Sequence, residues 1–503
     1  MIPLFVAIPL GAAFLMPILG KFFKRGPDIL ANLVTFTLLI LSLTLIGQEI
    51  SVYKVGGWEP IKGIPIGIYM VLDGLSIFML IIISLISFLA IIYSVAFIER
   101  YTNKTGYYTL FLLMIAGMNG VVLSGDMFNI FVFLEVTAIA SYALVAFGTE
   151  AEGLEGAFKY QVMGTVASGI ILLGIALLYA FTGTLNMADM ARIISEQGSN
   201  SLLLFVGVLF LAGFGLKAAI MPFHSWLPDA YTSAPAPISA MLAGVVGKSI
   251  GIYALCRIFF NVLGLGQMKS ILYILMVLGI ISMVAGAFLA LVQKDFKRLL
   301  SYSSISQIGY IIFAFGLGTP LGFLGGLFHL LNHSIFKSLL FLNSGAIVYS
   351  TNFRNLKEMG GISKKMPVTG ATSLVGSLSV VGIPPFNGFW SKLIIIFAAI
   401  QANYLVFALI AIFASIITLA YYMLVQRQFF LGKLNETWQE IRETPPVMCI
   451  STVGLALICI IIGIFFIPGI KVALMEPTKI AVLGPAVEVL KNGLQYASLV
   501  LGK

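Results

Sequence analysis

Glu135 lies in the run Met127–Phe147, MFNIFVFLEVTAIASYALVAF, which is long enough to cross a bilayer and holds no other charge. An ionisable side chain at that depth costs about 2.5–3.5 kcal/mol on insertion scales, so it faces a partner or a water-filled path. Lys217, Lys248, Lys337 and Lys392 each fall in a separate apolar segment. A glutamate and several lysines buried this way are the chemistry of a chain that moves charge through a membrane.

Burial and an opposite charge pull a carboxyl's proton affinity in opposite directions, and the same holds for an amine. A Glu135–Lys217 pair therefore sits near a switching point, because moving the lysine alters the proton affinity of both. The competing reading is a static salt bridge stapling two helices; buried ion pairs are poor stabilisers for their cost. Lys248, in AGVVGKSIGIY, is too deep to snorkel and needs water or a shifted proton affinity. His329, His333 and Lys337, in FHLLNHSIFKSLL, are spaced by four and share one helix face. Histidine titrates near neutrality and shuttles protons readily. Against that stand three other readings. A metal pair lacks an evident third and fourth ligand. Haem ligation is opposed by the adjacent lysine, and a hydrogen-bonded core pair stays open.

The third histidine, His224, lies beside a proline-rich break. Lys392 follows Pro384-Pro385 and precedes LIIIFAAI, where it is either the last relay group or an anchoring charge. Asp73, in MVLDGLSIF, is a helix cap or an ion-path residue, and Asp229 is a candidate cap for the helix that follows it. Lys159, beside the acidic loop Glu150–Glu155, reads as solvated.

The elements that hold these groups must be membrane helices. Of 503 residues, 60% are hydrophobic and 10% charged, with a mean hydropathy of +1.05, whereas a soluble chain carries about 25% charged residues. A span needs about 20 apolar residues. On that basis helices fall near 2–20, 28–47, 69–97, 107–124, 127–148, 159–182, 201–229, 234–262, 271–292, 299–317, 321–350, 367–398, 403–426 and 447–468. This predicts an all-α polytopic fold of about fourteen spans with little room for a soluble catalytic domain.

The net charge of +9 fits positive-inside sorting rather than nucleic-acid binding. Basic residues gather after the odd-numbered helices: Lys21, Lys24 and Arg25; Arg100 and Lys104; Lys294, Lys297 and Arg298; Arg354, Lys357, Lys364 and Lys365; Arg427, Lys433 and Arg442. The other connections are sparse, with Lys54, Lys62, Arg192 and Lys269. Both termini are then expected outside the cell membrane. The N-terminus has no basic stretch before its apolar run, so it reads as a first span rather than a cleaved signal. The tail from Lys471 to Lys503 either lies on the membrane or packs on a neighbour. Cys256, Cys449 and Cys459 form no CxxC pair and read as core residues, without an iron–sulfur, zinc or disulfide framework. No phosphate loop, dinucleotide fingerprint or nucleophile elbow stands in a credible context. The 51 glycines read as helix packing.

Two spans must be broken: Gly215–Asp229, GLKAAIMPFHSWLPD, and Gly382–Lys392, GIPPFNGFWSK. Proline removes a backbone donor and clashes with the preceding turn. Broken helices in matching places of two halves point to an ion path. Ile220-Met221-Pro222-Phe223 precedes Trp226 as Ile383-Pro384-Pro385-Phe386 precedes Trp390. Ser249-Ile250 and Ala254 have counterparts in Ser415-Ile416 and Ala420. The expected organisation is residues 1–106 with three helices, five-helix repeats over 107–262 and 271–426, and a loop, last helix and tail over 427–503.

The stretches FVFLEVTAIASYALVAF, LKAAIMPFHSWLPDAYTSAPAPISAMLAGVVGK, KRLLSYSSISQIGYI, HLLNHSIFKSLLF and GIPPFNGFWSK resemble the antiporter-like membrane subunits shared by respiratory complex I, multisubunit Mrp cation/proton antiporters and energy-converting hydrogenase-like complexes. The resemblance runs from about residue 70 to 430 and looks strongest to the Mrp D-type subunits and archaeal hydrogenase-like relatives. It implies fourteen transmembrane helices, two five-helix repeats related by inversion, and no cofactor. By motif it carries the family's carboxylate to Glu135, its partner lysine to Lys217, the central lysine to Lys248 and the last lysine to Lys392, where some members have glutamate. His329, His333 and Lys337 match the link between the halves. The longest members add a lateral helix that this chain does not match.

The expected function is proton or cation/proton translocation through a Glu/Lys/His relay, as one membrane subunit among others. The implied partners are small antiporter subunits and, in a redox-driven version, a peripheral redox module; the implied cargo is protons, with sodium as the exchanged ion in the antiporter version. A complex I type pump is the alternative. A lone solute permease would need one midplane pocket, whereas these charges spread over five helices or more. A scaffold without transport would tolerate apolar residues at the buried lysines.

Overall fold

The computed structural model describes residues 1–61, 65–198, 200–356, 359–434, 436–465, 475–483, 498 and 500–501. Lys62, Lys357 and most of the tail from Lys471 to Lys503 fall outside them. Hydrocarbon offers the backbone no hydrogen bonds, so a spanning chain must satisfy its own N–H and C=O groups, and a helix does so within one segment. The order is α1 (Leu4–Phe22), α2 (Gly26–Leu43), α3 (Gly74–Phe97), α4 (Lys104–Leu123), α5 (Met127–Val145), α6 (Ala151–Thr182), α7 (Met187–Gln197), α8 (Ser201–Lys217), α9 (Trp226–Ser233) and α10 (Ala236–Val262). Then follow α11 (Lys269–Leu291), α12 (Phe296–Gly316), α13 (Pro320–Thr351), α14 (Pro367–Val381), α15 (Asn387–Gln401), α16 (Leu405–Phe430), α17 (Pro446–Phe465) and α18 (Glu476–Leu483). Among the described residues, 11 helices are long and apolar enough to cross a membrane. This is a multi-pass helical membrane protein.

Its burial pattern is that of a bundle in lipid. Large apolar residues such as Phe14, Leu33, Phe158 and Val406 are exposed, while His329, His333, Asn332, Lys337 and Asn343 are fully buried. Polar side chains inside and apolar ones outside invert the arrangement of a soluble domain. All five of those buried polar groups sit on α13, a 32-residue helix.

Two features differ from the sequence reading. The first four residues of the helix expected over 69–97 are instead a strand: a hairpin of β1 (Ser51–Lys54) and β2 (Tyr69–Leu72) pairs Ser51 with Leu72 and Lys54 with Tyr69. It fills the long connection after α2 and delivers Asp73 to the start of α3. The short α7 is capped by Asn186, whose side chain accepts from Ala188 and Asp189 N–H. Its eleven residues were too few and too polar to read as a span.

The expected helices over 201–229 and 367–398 each divide. Between α8 and α9 the backbone leaves the helix, with Ala219 at a φ of 56°. Trp226 Nε1 donates to Leu216 O at 2.9 Å, and Met221 N–H donates to Ser282 Oγ at 2.9 Å. These bonds occupy backbone groups that Pro222 leaves outside a helical ladder. Between α14 and α15 the chain turns at Gly382, φ 87°, a conformation that suits a residue without Cβ. α10 is continuous but widens into π turns at Leu242–Val246, Lys248–Tyr253 and Arg257–Val262.

Helices α11 and α12 approach backbone to backbone. A Cβ on Gly279 would fall 2.5 Å from Phe313 N, one on Gly286 2.6 Å from Ser306 N, and one on Gly309 2.5 Å from Met283 N. Small residues permit such an approach where no hydrophobic effect drives helices together.

Candidate functional site

Lys217 is the last residue of α8, so its ammonium stands at the carbonyl end of a half-helix, where the helix dipole favours a cation. Its Nζ lies 3.6 Å from Glu135 Oε1 on α5. That is an ion pair outside hydrogen-bond reach, and no protein acceptor hydrogen-bonds Lys217 Nζ. The lysine side chain is 1% exposed and the glutamate 30%. Ser168 Oγ on α6 donates to the same Glu135 oxygen through a short contact and also contacts Gly164 O. Thus the hydroxyl and the amine both approach one oxygen of the carboxylate.

Lys248 opens the second π turn of α10 and is 1% exposed. π turns interrupt α-helices most often at functional sites. Gly251, one turn on, lies against Ala218: a Cβ there would meet the Ala218 backbone N at 2.8 Å. The helix of Lys248 therefore packs on the break that begins right after Lys217. Lys248 is also near enough to act electrostatically on His329, His333 and Lys337.

On α13 the three four-spaced residues point into the interior. His329 Nδ1 is 2.9 Å from Ser391 Oγ and its Nε2 is 3.2 Å from Gln307 Oε1. His333 has no protein hydrogen-bond partner at either ring nitrogen. Lys337 Nζ donates to Leu300 O at 3.1 Å and to Tyr422 Oη at 3.2 Å. Among the described residues, no group of three His, Cys, Asp or Glu side chains comes together to hold a metal.

Lys392 on α15 donates to Val381 O at 3.2 Å and Ser415 Oγ at 3.1 Å, with its ammonium 4.9 Å from the Tyr310 ring centre. Val381 is the last residue of α14. A lysine therefore serves the carbonyl end of the first half-helix at both breaks, Lys217 from within it and Lys392 from across the turn.

The remaining candidates stand apart from this file. Asp73 caps α3 in a capping box with Ser76 and also takes a bidentate pair from Arg257, at 2.6 and 2.7 Å. His224 is half-buried, with Nδ1 3.3 Å from Pro222 O. Asp229 does not cap the following helix. It lies in the first turn of α9, paired with Lys159 at 2.8 Å and Arg298 at 2.7 Å, while α10 follows Pro235 without a side-chain cap. Lys159 is 43% exposed, yet it also pairs with Glu155 at 2.6 Å.

Residues 124–418 match the family model described as NADH:quinone oxidoreductase/Mrp antiporter, TM. Residues 58–108 match the NADH-ubiquinone oxidoreductase (complex I), chain 5 N-terminus model. The chain belongs to the NADH:quinone oxidoreductase/Mrp antiporter family. It is 35% identical to NADH-quinone oxidoreductase subunit N of Desulforudis audaxviator, over 88% of each chain. It is 34% identical to the D-type subunit of the Na(+)/H(+) antiporter of Alkalihalophilus pseudofirmus, over 84% of this chain and 85% of that one. A chain in the structure of the membrane-bound sulfane sulfur reductase, an archaeal respiratory membrane complex, superposes with a TM-score of 0.88 at 31% identity, over 99% of both chains.

As a member of this antiporter-like family the protein is an ion-translocating membrane subunit, of a kind that works among other membrane subunits. Several groups in its interior escaped sequence reasoning. Ser168, Gln307, Ser391 and Tyr422 are ordinary residue types with no spacing signal, and Ser415 stood out only as a repeat counterpart of Ser249. Arg257 was legible in principle, since an isolated arginine in an apolar helix needs an anion, and Asp73, read as a cap or an ion-path residue, is that anion. Lys297 was counted with the basic loop. It is instead the second residue of α12, 5% exposed, and donates to Ala234 O.

Proposed function

We propose that Glu135, Lys217, Lys248, the His329–His333–Lys337 cluster and Lys392 form one proton relay through the membrane. The carrying observation is the ion pair between buried Lys217 and partly exposed Glu135 at 3.6 Å, with neither group locked to the other. A small movement of the α8 end changes how strongly the carboxylate holds the ammonium's proton. Downstream, His333 offers two buried nitrogens without protein partners and Gln307 an unpartnered amide nitrogen. Buried polar atoms of this kind are ordinarily met by water, which supplies the links between side chains too far apart to exchange protons directly. Asp73, His224 and Asp229 are accessory, outside the relay.

In this reading α13 and the two broken helices, α8–α9 and α14–α15, also cross, bringing the spans to fourteen. Residues 107–262 and 271–426 are the two inverted repeats, each containing one broken helix. The basic connections face the cytoplasm and both termini lie outside. The subunit works as a D-type antiporter subunit, exchanging cations for protons or coupled within a redox-driven complex. The likeness to an archaeal respiratory complex supports the second arrangement, and complex I type pumping is its nearest variant.

The test is Glu135→Ala and Lys217→Ala in the complete complex reconstituted in vesicles. Both variants abolish proton-coupled transport if the pair is the switch. Retained transport in either one removes it from the route.

A further inference from the structure

Beyond the relay, the face that carries the basic loops holds a polar basin of about 850 Å³. Its rim includes Glu150, Glu152, Asp295, Lys294 and Arg354. Arg354 is committed already: it pairs with Glu152 and Asp295, each at 2.6 Å. Burial lifts the Asp295 carboxyl above its ordinary range, with Arg354 opposing. Two residues behind Asp295, Lys297 is buried and hydrogen-bonded to the Ala234 carbonyl that ends α9.

From Lys297 a stripe of buried polar residues runs down α12: Lys297, Ser301, Ser304 and Gln307. Their spacing of four, three and three keeps them on one side of the helix. Ser301 and Ser304 donate to Lys297 O and Leu300 O, so their hydroxyl oxygens remain free to accept. Leu300 O also takes Lys337 Nζ. At 1.5 Å of rise per residue, Leu300 is only about 4.5 Å along the axis from Lys297. His333 lies beside the Ser304 backbone, and Gln307 Oε1 meets His329. The unpartnered Gln307 amide nitrogen and both His333 nitrogens are fully buried at the inner end.

We propose that this basin is a proton-loading mouth, with Lys297 as the group that passes protons from it to Lys337 and His333. The inference rests on the relay reading above. A hydronium in the basin gives its proton to the neutral Lys297 amine and becomes water. The resulting ammonium passes a proton through water to a neutral Lys337 amine, and Lys297 returns to neutral. Arg354, Asp295, Glu152 and Glu150 act on Lys297 from the rim, which Lys294 shares; Arg298, next in sequence, pairs with Asp229; and farther along α12 Leu300 O meets Lys337, itself bonded to Tyr422, and Ser304 meets His333. The rim sets three carboxyls against Lys294 and Arg354, and this small acidic excess favours a cation at the mouth.

The experiment is proton-coupled transport by the whole complex in vesicles, with the pH varied on the basin face. The Glu150→Gln/Glu152→Gln double variant slows transport about tenfold when that side is alkaline and recovers as it is acidified. Lys297→Met slows it at every pH. Lys297→Arg does not rescue, because a guanidinium does not release its proton. Wild-type rate and pH profile in Lys297→Met, in preparations where Lys392→Ala is inactive, overturns the mouth and leaves the relay standing. Retained transport in both Lys392→Ala and Lys217→Ala overturns the relay, and the mouth with it. Should Lys297→Met fail to assemble, the surface double variant decides, and an unchanged pH profile overturns the proposal.

Discussion

Lys217 Nζ stands 3.6 Å from Glu135 Oε1, near enough for an ion pair and too far for a hydrogen bond. The oxygen it faces is already held by Ser168. The hydroxyl and the amine therefore share one carboxylate oxygen, and the balance of its charge between them is what a neighbour's movement can tip.

Ser168→Ala removes that hydroxyl donor. A hydrogen bond to a charged group contributes about 1.5–3 kcal/mol, so the Glu135–Lys217 attraction strengthens by a comparable bias. Transport should fall about tenfold without vanishing, whereas Glu135→Gln should abolish it. Initial rates of proton movement in reconstituted vesicles check this; an unchanged Ser168→Ala rate contradicts it.

The Glu135–Lys217 pairing could be anticipated because each is an isolated charge in an apolar run, and isolated buried charges need partners. The four-residue spacing of His329, His333 and Lys337 likewise fixes a shared helix face. Lys297 was hidden for the opposite reason. It sits among Lys294 and Arg298, and in a charge cluster the sequence cannot tell which member turns inward. Ser168 and Gln307 carry no charge to stand out from their neighbours. The hairpin at 51–72 and the short α7 lacked the apolar length by which the spans were found.

Asp73 and Arg257, both nearly inaccessible, tie the start of α3 to the far end of the Lys248 helix. Removing one partner of a buried pair costs about 3–5 kcal/mol, because the other is left charged and unpaired. Asp73→Asn or Arg257→Ala should therefore lower the thermal stability of the complex in detergent. Arg257→Lys should not restore it, since a point charge cannot reproduce the two-pronged contact. Asp73→Leu/Arg257→Leu should recover part of the loss. Wild-type stability in either single variant contradicts a structural role for the pair.

Gly309 sits where α12 presses on the backbone of α11. Gly309→Val pushes the helices apart and should shift the polar side of α12 relative to α13, so that both assembly and transport drop. The check is the yield of intact complex alongside its activity. Gly11, which has open space around its Cβ position, should accept Ala with little effect and serves as the control.

Lys392→Arg tests the central claim most directly, since it keeps the positive charge and removes the ability to give up a proton. Proton-coupled transport is measured in vesicles holding intact complex, with assembly confirmed by co-purification of its partners. If Lys392 titrates in turn with the other groups, the rate falls by about a hundredfold or more, the loss expected when a positioned proton-transfer group is removed. If Lys392 is a fixed charge that only anchors the turn between α14 and α15, the variant transports at close to the wild-type rate, and the relay account is wrong.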